Sequence, residues 1–237
     1  GGGPRRRRGA ARSRWQAKRR LPPPHRSRQA RARAGLHRFD KETAPAAAMS
    51  LFPPYFGQRL KGKRVAIFVD YAFEDLEVMF PKIRLEEEGC EVLVVGGHPA
   101  GQKYTGKHGY PVKSTHTIAD VDMATVDGLI LPGGFAPDYM RRNTQMLAAV
   151  SACVAAGKPC GAICHGPWMF CSARDAAGKP VIAGKKCTAF VAIKDDVINA
   201  GAEWVDAAVV VDGPLISSRT PDDLVPFVQA LITAIAP

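Results

Sequence analysis

Cys164 is the residue in this chain whose position most favours covalent chemistry. The apolar residues 162–163 precede it and Pro167 follows, a pattern that predicts a buried strand, a sharp turn and the first turn of a helix. A thiol beside a helix N-terminus is expected to have a lowered pKa, because the helix dipole and free backbone N–H groups stabilise the thiolate. The alternative is that Cys164 is a buried, unreactive residue, as free cysteines commonly are.

Two residues could exchange protons with such a thiol. His165 is adjacent, but consecutive residues at a helix start point in different directions, so adjacency alone predicts no contact. Glu74 stands at the start of the helix that follows the first predicted strand. It is either a first-turn acid that interacts with the helix dipole, or a cleft acid whose pKa is raised by burial beside a thiolate, so that it can donate a proton.

A further candidate group follows the third predicted strand. Gly134 would allow a backbone N–H to approach a substrate closely, and together with Gly133 it is a candidate for binding an oxyanion. A Gly–Gly pair also commonly forms only a turn, and that interpretation remains open.

These candidates depend on a fold that brings their loops together. Apolar strands and helices alternate along the chain, with strands at 65–69, 92–95 and 128–131, helices beginning near 75, at 144, at Pro167 and at Pro221, and hairpins at 104–112 and 209–216. This alternation predicts an α/β fold with a mostly parallel sheet and helices on both faces. Ligands bind such sheets at the carboxyl ends of the strands, where the three candidate loops begin.

The net positive charge of the chain comes entirely from its first 48 residues. Residues 1–48 carry 15 basic and two acidic side chains of the totals of 33 and 22, so the remainder has a net charge of −2. A basic nucleic-acid-binding face is therefore not expected on the domain, which we place at residues 63–236. The leader is predicted to be disordered. It is either a transit peptide for a chloroplast or mitochondrion, or an extension of the gene model ahead of a cytoplasmic protein that starts at Met49.

The six cysteines favour neither a metal site nor a disulfide framework. No Cys-x-x-Cys pair and no spaced histidine pair is present, so no structural zinc or other metal is expected. A domain of this size can bury its own core without disulfides. No apolar segment approaches the roughly 18 residues of a membrane span, so no membrane association is expected.

Six short segments, in their order and spacing, resemble the DJ-1/PfpI superfamily, and most closely its PfpI branch. They are 72–77 (AFEDLE), 105–110 (TGKHGY), 131–134 (LPGG), 162–167 (AICHGP), 193–196 (IKDD) and 198–201 (INAG). The resemblance implies a flavodoxin-like three-layer sandwich, related to glutamine amidotransferases, that assembles as homodimers or larger homo-oligomers. It also implies an enzyme without a cofactor.

The resemblance further implies roles for individual residues. Cys164 would be the nucleophile and Glu74 the protonated acid beside it, while the backbone of Gly134 and His165 would form the oxyanion site. Asp138 would orient His165 of a neighbouring subunit. Two departures from the PfpI branch weaken a peptidase function: Asp138 stands where glutamate is common, and a phenylalanine at 190 stands where tyrosine is common.

Three functions follow as expectations. The first is the conversion of methylglyoxal or glyoxal to lactate or glycolate without glutathione, a glyoxalase III (D-lactate dehydratase) activity, with related deglycase activity. The second is a cysteine peptidase that uses His165 as its base. The third is a redox sensor or chaperone in which Cys164 is oxidised to a sulfinate.

Overall fold

The computed structural model describes Gly1 and residues 59–236. The predicted leader, residues 1–48, lies outside the described residues. The strands are β1 (Arg64–Val69), β2 (Glu91–Gly96), β3 (Lys103–Thr105), β4 (Pro111–Lys113), β5 (His116–Thr117), β6 (Gly128–Leu131), β7 (Cys160–Ile163), β8 (Lys186–Cys187), β9 (Glu203–Trp204), β10 (Val209–Asp212) and β11 (Leu215–Ser218). The α-helices are α1 (Asp75–Glu87), α2 (Ala136–Met140), α3 (Thr144–Ala155), α4 (Trp168–Ser172), α5 (Lys194–Asn199) and α6 (Leu224–Ile235).

Seven strands form one sheet in the order β10-β11-β7-β6-β1-β2-β5. Every pair in it is parallel except β10 with β11. The central strands β1, β6 and β7 are buried along almost their whole length, which explains their continuous apolar sequences. The carboxyl ends of these three strands lead into the loops that carry the candidate residues.

Helices cover both faces of this sheet. On β7, Gly161 faces α6, where a Cβ would press against Phe227 and Leu231. The preceding residue, Cys160, points the other way and interacts with Cys153 of α3. Since neighbouring strand residues point to opposite faces, α6 and α3 lie on opposite sides of the sheet. The structure thus confirms the predicted flavodoxin-like sandwich.

The apolar residues that predict α1 do not all face the core. Leu76 and Ile83 are 56% and 57% exposed, whereas Val78, Pro81 and Leu85 are buried. The buried face of α1 therefore differs from the apolar stripe that its sequence suggests. Because of this difference, Glu77 lies on the buried face.

The smaller predicted elements are also present. β3 and β4 form the antiparallel hairpin predicted over 104–112, and β10 and β11 form the late hairpin. Thr220 and Pro221 begin a 3-10 turn that leads into α6, so the closing helix starts three residues later than the Pro signal predicts. Among the helices of the described region, none has the length and apolar character needed to cross a membrane.

Candidate active site

Cys164 lies at a strained turn between β7 and α4. Its φ is +61°, in the left-handed region that non-glycine residues rarely adopt. Its N–H donates to the carbonyl of Ser218 at 3.1 Å, and its own carbonyl accepts the N–H of Phe190 at 2.9 Å. Gly166 completes the turn, because a Cβ there would collide with the carbonyl oxygen of Leu131. The predicted strand, turn and helix are thus confirmed, and neighbouring elements hold the strained residue on both sides.

The carboxyl group beside the thiol belongs to Glu77, which corrects the expectation that it belongs to Glu74. Glu74 is the N-cap of α1, and its Oε2 accepts the N–H of Glu77 at 2.9 Å. Capping holds its carboxylate at the helix start, where Oε1 lies 3.7 Å from His108 Nε2 and 4.0 Å from Lys107 Nζ. Glu74 therefore caps the N-terminus of α1, in agreement with its alternative interpretation as an acid that interacts with the start of the helix.

Glu77 lies on the buried face of α1. It precedes Pro81 and Leu85 by four and eight residues, so the three residues share one side of the helix. Glu77 is 0% exposed, and its Oε2 accepts the N–H of Gly133 at 2.6 Å. Its Oε1 is buried and has no hydrogen-bond partner among the described residues. A buried carboxylate oxygen without a donor is unfavourable, so this oxygen is the natural site for a proton.

The pKa of Glu77 is consistent with a protonated side chain at neutral pH. Burial, and to a smaller extent the charge of Glu74, raises the pKa of Glu77 to about 8, although the Gly133 N–H, the Lys107 ammonium and a hydrogen bond with the Cys164 side chain act to lower it. At pH 7, about nine in ten molecules with this pKa carry the proton. Glu77 can therefore serve as the acid for which Glu74 was expected.

The expectation that the pKa of Cys164 is lowered is wrong, because the thiol is buried. Burial, followed by the charge of Glu77, raises the pKa of the Cys164 thiol to about 12, although the N–H groups of Gly134 and His165 and the Lys107 ammonium act to lower it. Protonation of Glu77 removes its negative charge, which is one of the two causes that raise the Cys164 pKa. The hydrogen bonds and the Lys107 charge that lower this pKa remain. Protonation of Glu77 therefore lowers the pKa of the Cys164 thiol, so the two groups titrate as one coupled pair.

His165 contacts the Cys164 thiol, although its position next to Cys164 in the sequence does not by itself predict this contact. Its Nδ1 lies 3.3 Å from Cys164 Sγ, and its ring is held by Phe190, stacked at 5.2 Å, and by the edge of Trp168 at 5.1 Å. Burial, together with the charge of Lys107, lowers the pKa of His165, which favours the neutral ring. A neutral imidazole at this distance can accept the thiol proton.

The two candidate glycines have different tasks. The N–H of Gly134 is directed at the Cys164 sulfur, as is the N–H of His165, so these two backbone donors could bind an oxyanion formed next to the sulfur. Gly134 has φ +72°, and a Cβ there would lie 2.5 Å from the N of Glu74. The N–H of Gly133 is already bound to Glu77, so Gly133 positions the acid instead of contacting a substrate oxygen.

Lys107 is a site residue to which the sequence analysis assigned no role. It lies at the turn between β3 and β4, where Asp75 holds the turn by accepting the N–H groups of His108 at 2.9 Å and Tyr110 at 2.8 Å. The Lys107 ammonium lowers the pKa of Glu77 and of Cys164. The segment 105–110 was visible as a motif, but only the folded hairpin brings its lysine to the cleft.

Within residues 59–236, the Asp138 side chain forms no hydrogen bond or ion pair with His165. It lies on α2, where its carboxylate pairs with Arg142 one turn later. The expectation that it reaches His165 of a neighbouring subunit remains a prediction. Within residues 59–236, no group of three or more His, Cys, Asp or Glu side chains is arranged to hold a metal ion.

Comparison with known proteins places this geometry in a family. The DJ-1/PfpI family model matches residues 63–234. A Thermococcus kodakarensis protein named Deglycase TK1284 is 44% identical over 169 residues, which cover 71% of this chain and 97% of that protein. A Bacillus subtilis protein named as a putative cysteine protease, YraA, is 41% identical over 165 residues, which cover 70% of this chain and 94% of that protein.

A solved structure supports the same assignment. A two-domain Anabaena variabilis protein, with a DJ-1/ThiJ/PfpI-like and a ferritin-like domain, has a TM-score of 0.68 and 38% identity, covering 72% of this chain and 47% of that one. This chain therefore spans about half the length of that protein. Since the matched region carries every strand of the central sheet and the whole Cys164 turn, the chain belongs to the DJ-1/PfpI family.

Proposed function

We propose that this protein is a cysteine-dependent enzyme that acts on small reactive carbonyl compounds without a cofactor. Its reaction is the conversion of methylglyoxal to lactate and of glyoxal to glycolate, accompanied by the release of early carbonyl adducts from amines and thiols. The observation that carries this proposal is the coupled pair of Cys164 and Glu77 beneath two backbone N–H donors. The name deglycase, borne by the T. kodakarensis relative, also supports it.

The geometry suggests a sequence of proton movements. The Cys164 thiolate adds to the aldehyde carbon, and the new oxyanion accepts hydrogen bonds from the N–H groups of Gly134 and His165. Protonated Glu77 gives its proton to this oxyanion, and the resulting carboxylate takes the proton from the former aldehyde carbon and delivers it to the adjacent carbonyl carbon. As the hydroxyl proton moves to the neighbouring oxygen, the hemithioacetal becomes the isomeric thioester of lactate. Water cleaves the thioester and releases lactate and the free thiol, so that the net reaction adds one water to methylglyoxal.

The direct experiment is to incubate purified protein with methylglyoxal, without glutathione, and to measure lactate. We expect turnover by the wild type and none by Cys164→Ala. Cys90→Ala is a matched control, because Cys90 is also 6% exposed but lies at the amino end of β2, away from the cleft. Lactate formation by Cys164→Ala at the wild-type rate would exclude the proposed nucleophile.

A peptidase activity is the second candidate, and the 3.3 Å contact between His165 Nδ1 and Cys164 Sγ favours it. A thiol and a neutral imidazole at this distance resemble the nucleophile and base of cysteine peptidases. The name of the B. subtilis relative points the same way. Peptide cleavage by the wild type, in the absence of lactate formation, would select this function instead.

We further propose that the chain forms homo-oligomers. Leu76 and Ile83 expose apolar surface on one side of α1. Burial of such apolar surface between subunits would be favourable. Sedimentation velocity tests this proposal, and a monomer at micromolar concentration would contradict it.

A further inference from the structure

Apart from its contact with the thiol, the His165 ring is oriented by packing alone within residues 59–236. Its one hydrogen bond in this region joins Nδ1 to Cys164 Sγ at 3.3 Å. Phe190, which stacks on the ring at 5.2 Å, has no hydroxyl that could hold it. His165 is only half-buried, so its surroundings do not enclose the ring completely. The direction of Nδ1 therefore depends strongly on the other aromatic neighbour, Trp168.

Trp168 reaches the His165 ring from one turn further along the chain. It begins α4, three residues after His165, and its backbone N–H donates to the His165 carbonyl at 3.1 Å. Side chains three residues apart in such a turn lie on the same side. The centres of the two rings are accordingly 5.1 Å apart, with the ring planes inclined by 70°. Because such aromatic pairs favour particular orientations, the position of the indole restricts that of the imidazole.

The Trp168 side chain is itself held by two further elements. Its indole N–H donates to Asp196 Oδ2, on α5, at 3.0 Å. The guanidinium carbon of Arg141, at the end of α2, lies 5.5 Å from the centre of the indole ring. Arg141 is in turn fixed, because its Nε donates to Ser172 Oγ at 2.8 Å. The indole therefore connects α2, α4 and α5 beside the His165 ring.

Of these contacts, the hydrogen bond to Asp196 defines the direction of the indole most sharply. An indole has a single N–H donor, so this bond selects one side-chain conformation of Trp168. A cation–π contact, by comparison, depends mainly on the distance of the cation from the ring centre. The Asp196 carboxylate is exposed and accepts no other hydrogen bond within residues 59–236. Its removal therefore affects this one contact.

We propose that Trp168 and Asp196 are positioning residues that hold His165 Nδ1 against the Cys164 thiol. Asp196 orients the indole, and the indole keeps the imidazole in the conformation that accepts the thiol proton. The proton passes from sulfur to Nδ1, which leaves a thiolate and an imidazolium. This inference rests on the proposed use of Cys164 as a nucleophile, which both candidate functions share.

The first test is the rate of Cys164 alkylation by iodoacetamide at pH 7, with the modified cysteine identified by mass spectrometry. We expect Asp196→Ala to slow the reaction by about three- to tenfold, the factor that one hydrogen bond supports. Asp196→Asn retains an oxygen that can accept the indole N–H and should stay within about twofold of the wild type. An Asp196→Ala rate equal to that of the wild type would overturn the proposal.

Asp195→Ala is the matched control. Asp195 is also an exposed acid in the first turn of α5, and its carboxylate accepts no hydrogen bond within the described residues. This variant loses the same charge at the same helix end, yet it should stay within about twofold of the wild type. A loss equal to that of Asp196→Ala would show that charge is responsible and would reject the positioning role.

A double substitution shows whether the effect passes through His165. In His165→Gln the imidazole is absent, so adding Asp196→Ala should change the alkylation rate by less than about twofold. If the three- to tenfold loss persists in this background, Asp196 acts on the thiol by another route and the proposal is wrong.

Nitrogen-15 NMR of histidine-labelled protein separates failure of the positioning from failure of the proposed function, because it requires no turnover. The His165 signals are those that His165→Gln lacks. We expect a neutral ring with an unprotonated Nδ1 in the wild type and in Asp196→Asn, and a mixture of both tautomers in Asp196→Ala. This pattern in a wild type that forms no lactate would support the positioning and reject the reaction. The same tautomers in Asp196→Ala as in the wild type would reject the positioning.

Discussion

Replacing Glu77 by glutamine should remove the proton relay while preserving the shape of the site. The Oε1 of the glutamine can still accept the Gly133 N–H, which Glu77 binds at 2.6 Å, and its amide nitrogen would take the place of the unpartnered oxygen. Because the pKa of Glu77 is about 8, about nine in ten wild-type sites carry the proton at pH 7, so the assay at this pH measures almost the full effect. We expect kcat/KM for methylglyoxal to fall by about a hundredfold or more, which corresponds to about 3 kcal/mol.

Glu74→Gln is the matched control for this experiment. Its side chain can still accept the N–H of Glu77, so only the negative charge near Lys107 and His108 is lost. We expect kcat/KM to change by less than about threefold. Lactate formation is measured for both variants, and thermal unfolding shows that both are folded. A Glu77→Gln variant within about threefold of the wild type, or an equal loss in Glu74→Gln, would refute the assignment of the acid.

Three further predictions follow from the same contacts. The pKa of Glu77 is raised from 4.5 to about 8, so its contribution to stability is fully present below about pH 4.5 and is lost as the pH rises through 8. Urea unfolding should therefore show that the wild type loses about 3 kcal/mol relative to Glu77→Gln between pH 5 and 8, and parallel curves would contradict this. Gly134→Ala should lower the unfolding free energy by about 2 kcal/mol or more, beyond the roughly 1 kcal/mol of Gly157→Ala, which has a similar φ of +68° but open space around its Cβ; equal losses would contradict the predicted clash. Lys107→Met should raise the pH at which Cys164 becomes reactive to iodoacetamide, because the ammonium lowers the pKa of the thiol, and an unchanged pH profile would contradict this role.

The sequence predicts the fold and the turn at Cys164 well because both depend on local patterns. The apolar runs of β1, β2 and β6 are long enough to mark buried parallel strands, and alternation with helices then determines the class of the fold. The Cys164 turn is visible from the small residues before it and from Pro167 after it. Each of these signals lies within a few neighbouring residues.

The sequence does not identify the acid beside Cys164, because Glu74 and Glu77 lie only three residues apart at the start of the same helix. The apolar stripe through Leu76 and Ile83 suggests a core face that excludes Glu77, yet both residues are exposed in the folded chain. Glu77 lies four residues before the buried Pro81, and this spacing could have indicated that Glu77 is buried. However, only the packing of α1 against the sheet determines which face of the helix is buried.

The protonation of Glu77 can be observed directly by infrared difference spectroscopy. We expect a carboxylic acid C=O band at pH 6 that is lost well above pH 8, that is absent from Glu77→Gln and that remains in Glu74→Gln. A band that persists in Glu77→Gln, or no carboxylic acid band in the wild type at pH 6, would contradict the claim that Glu77 holds the proton beside Cys164.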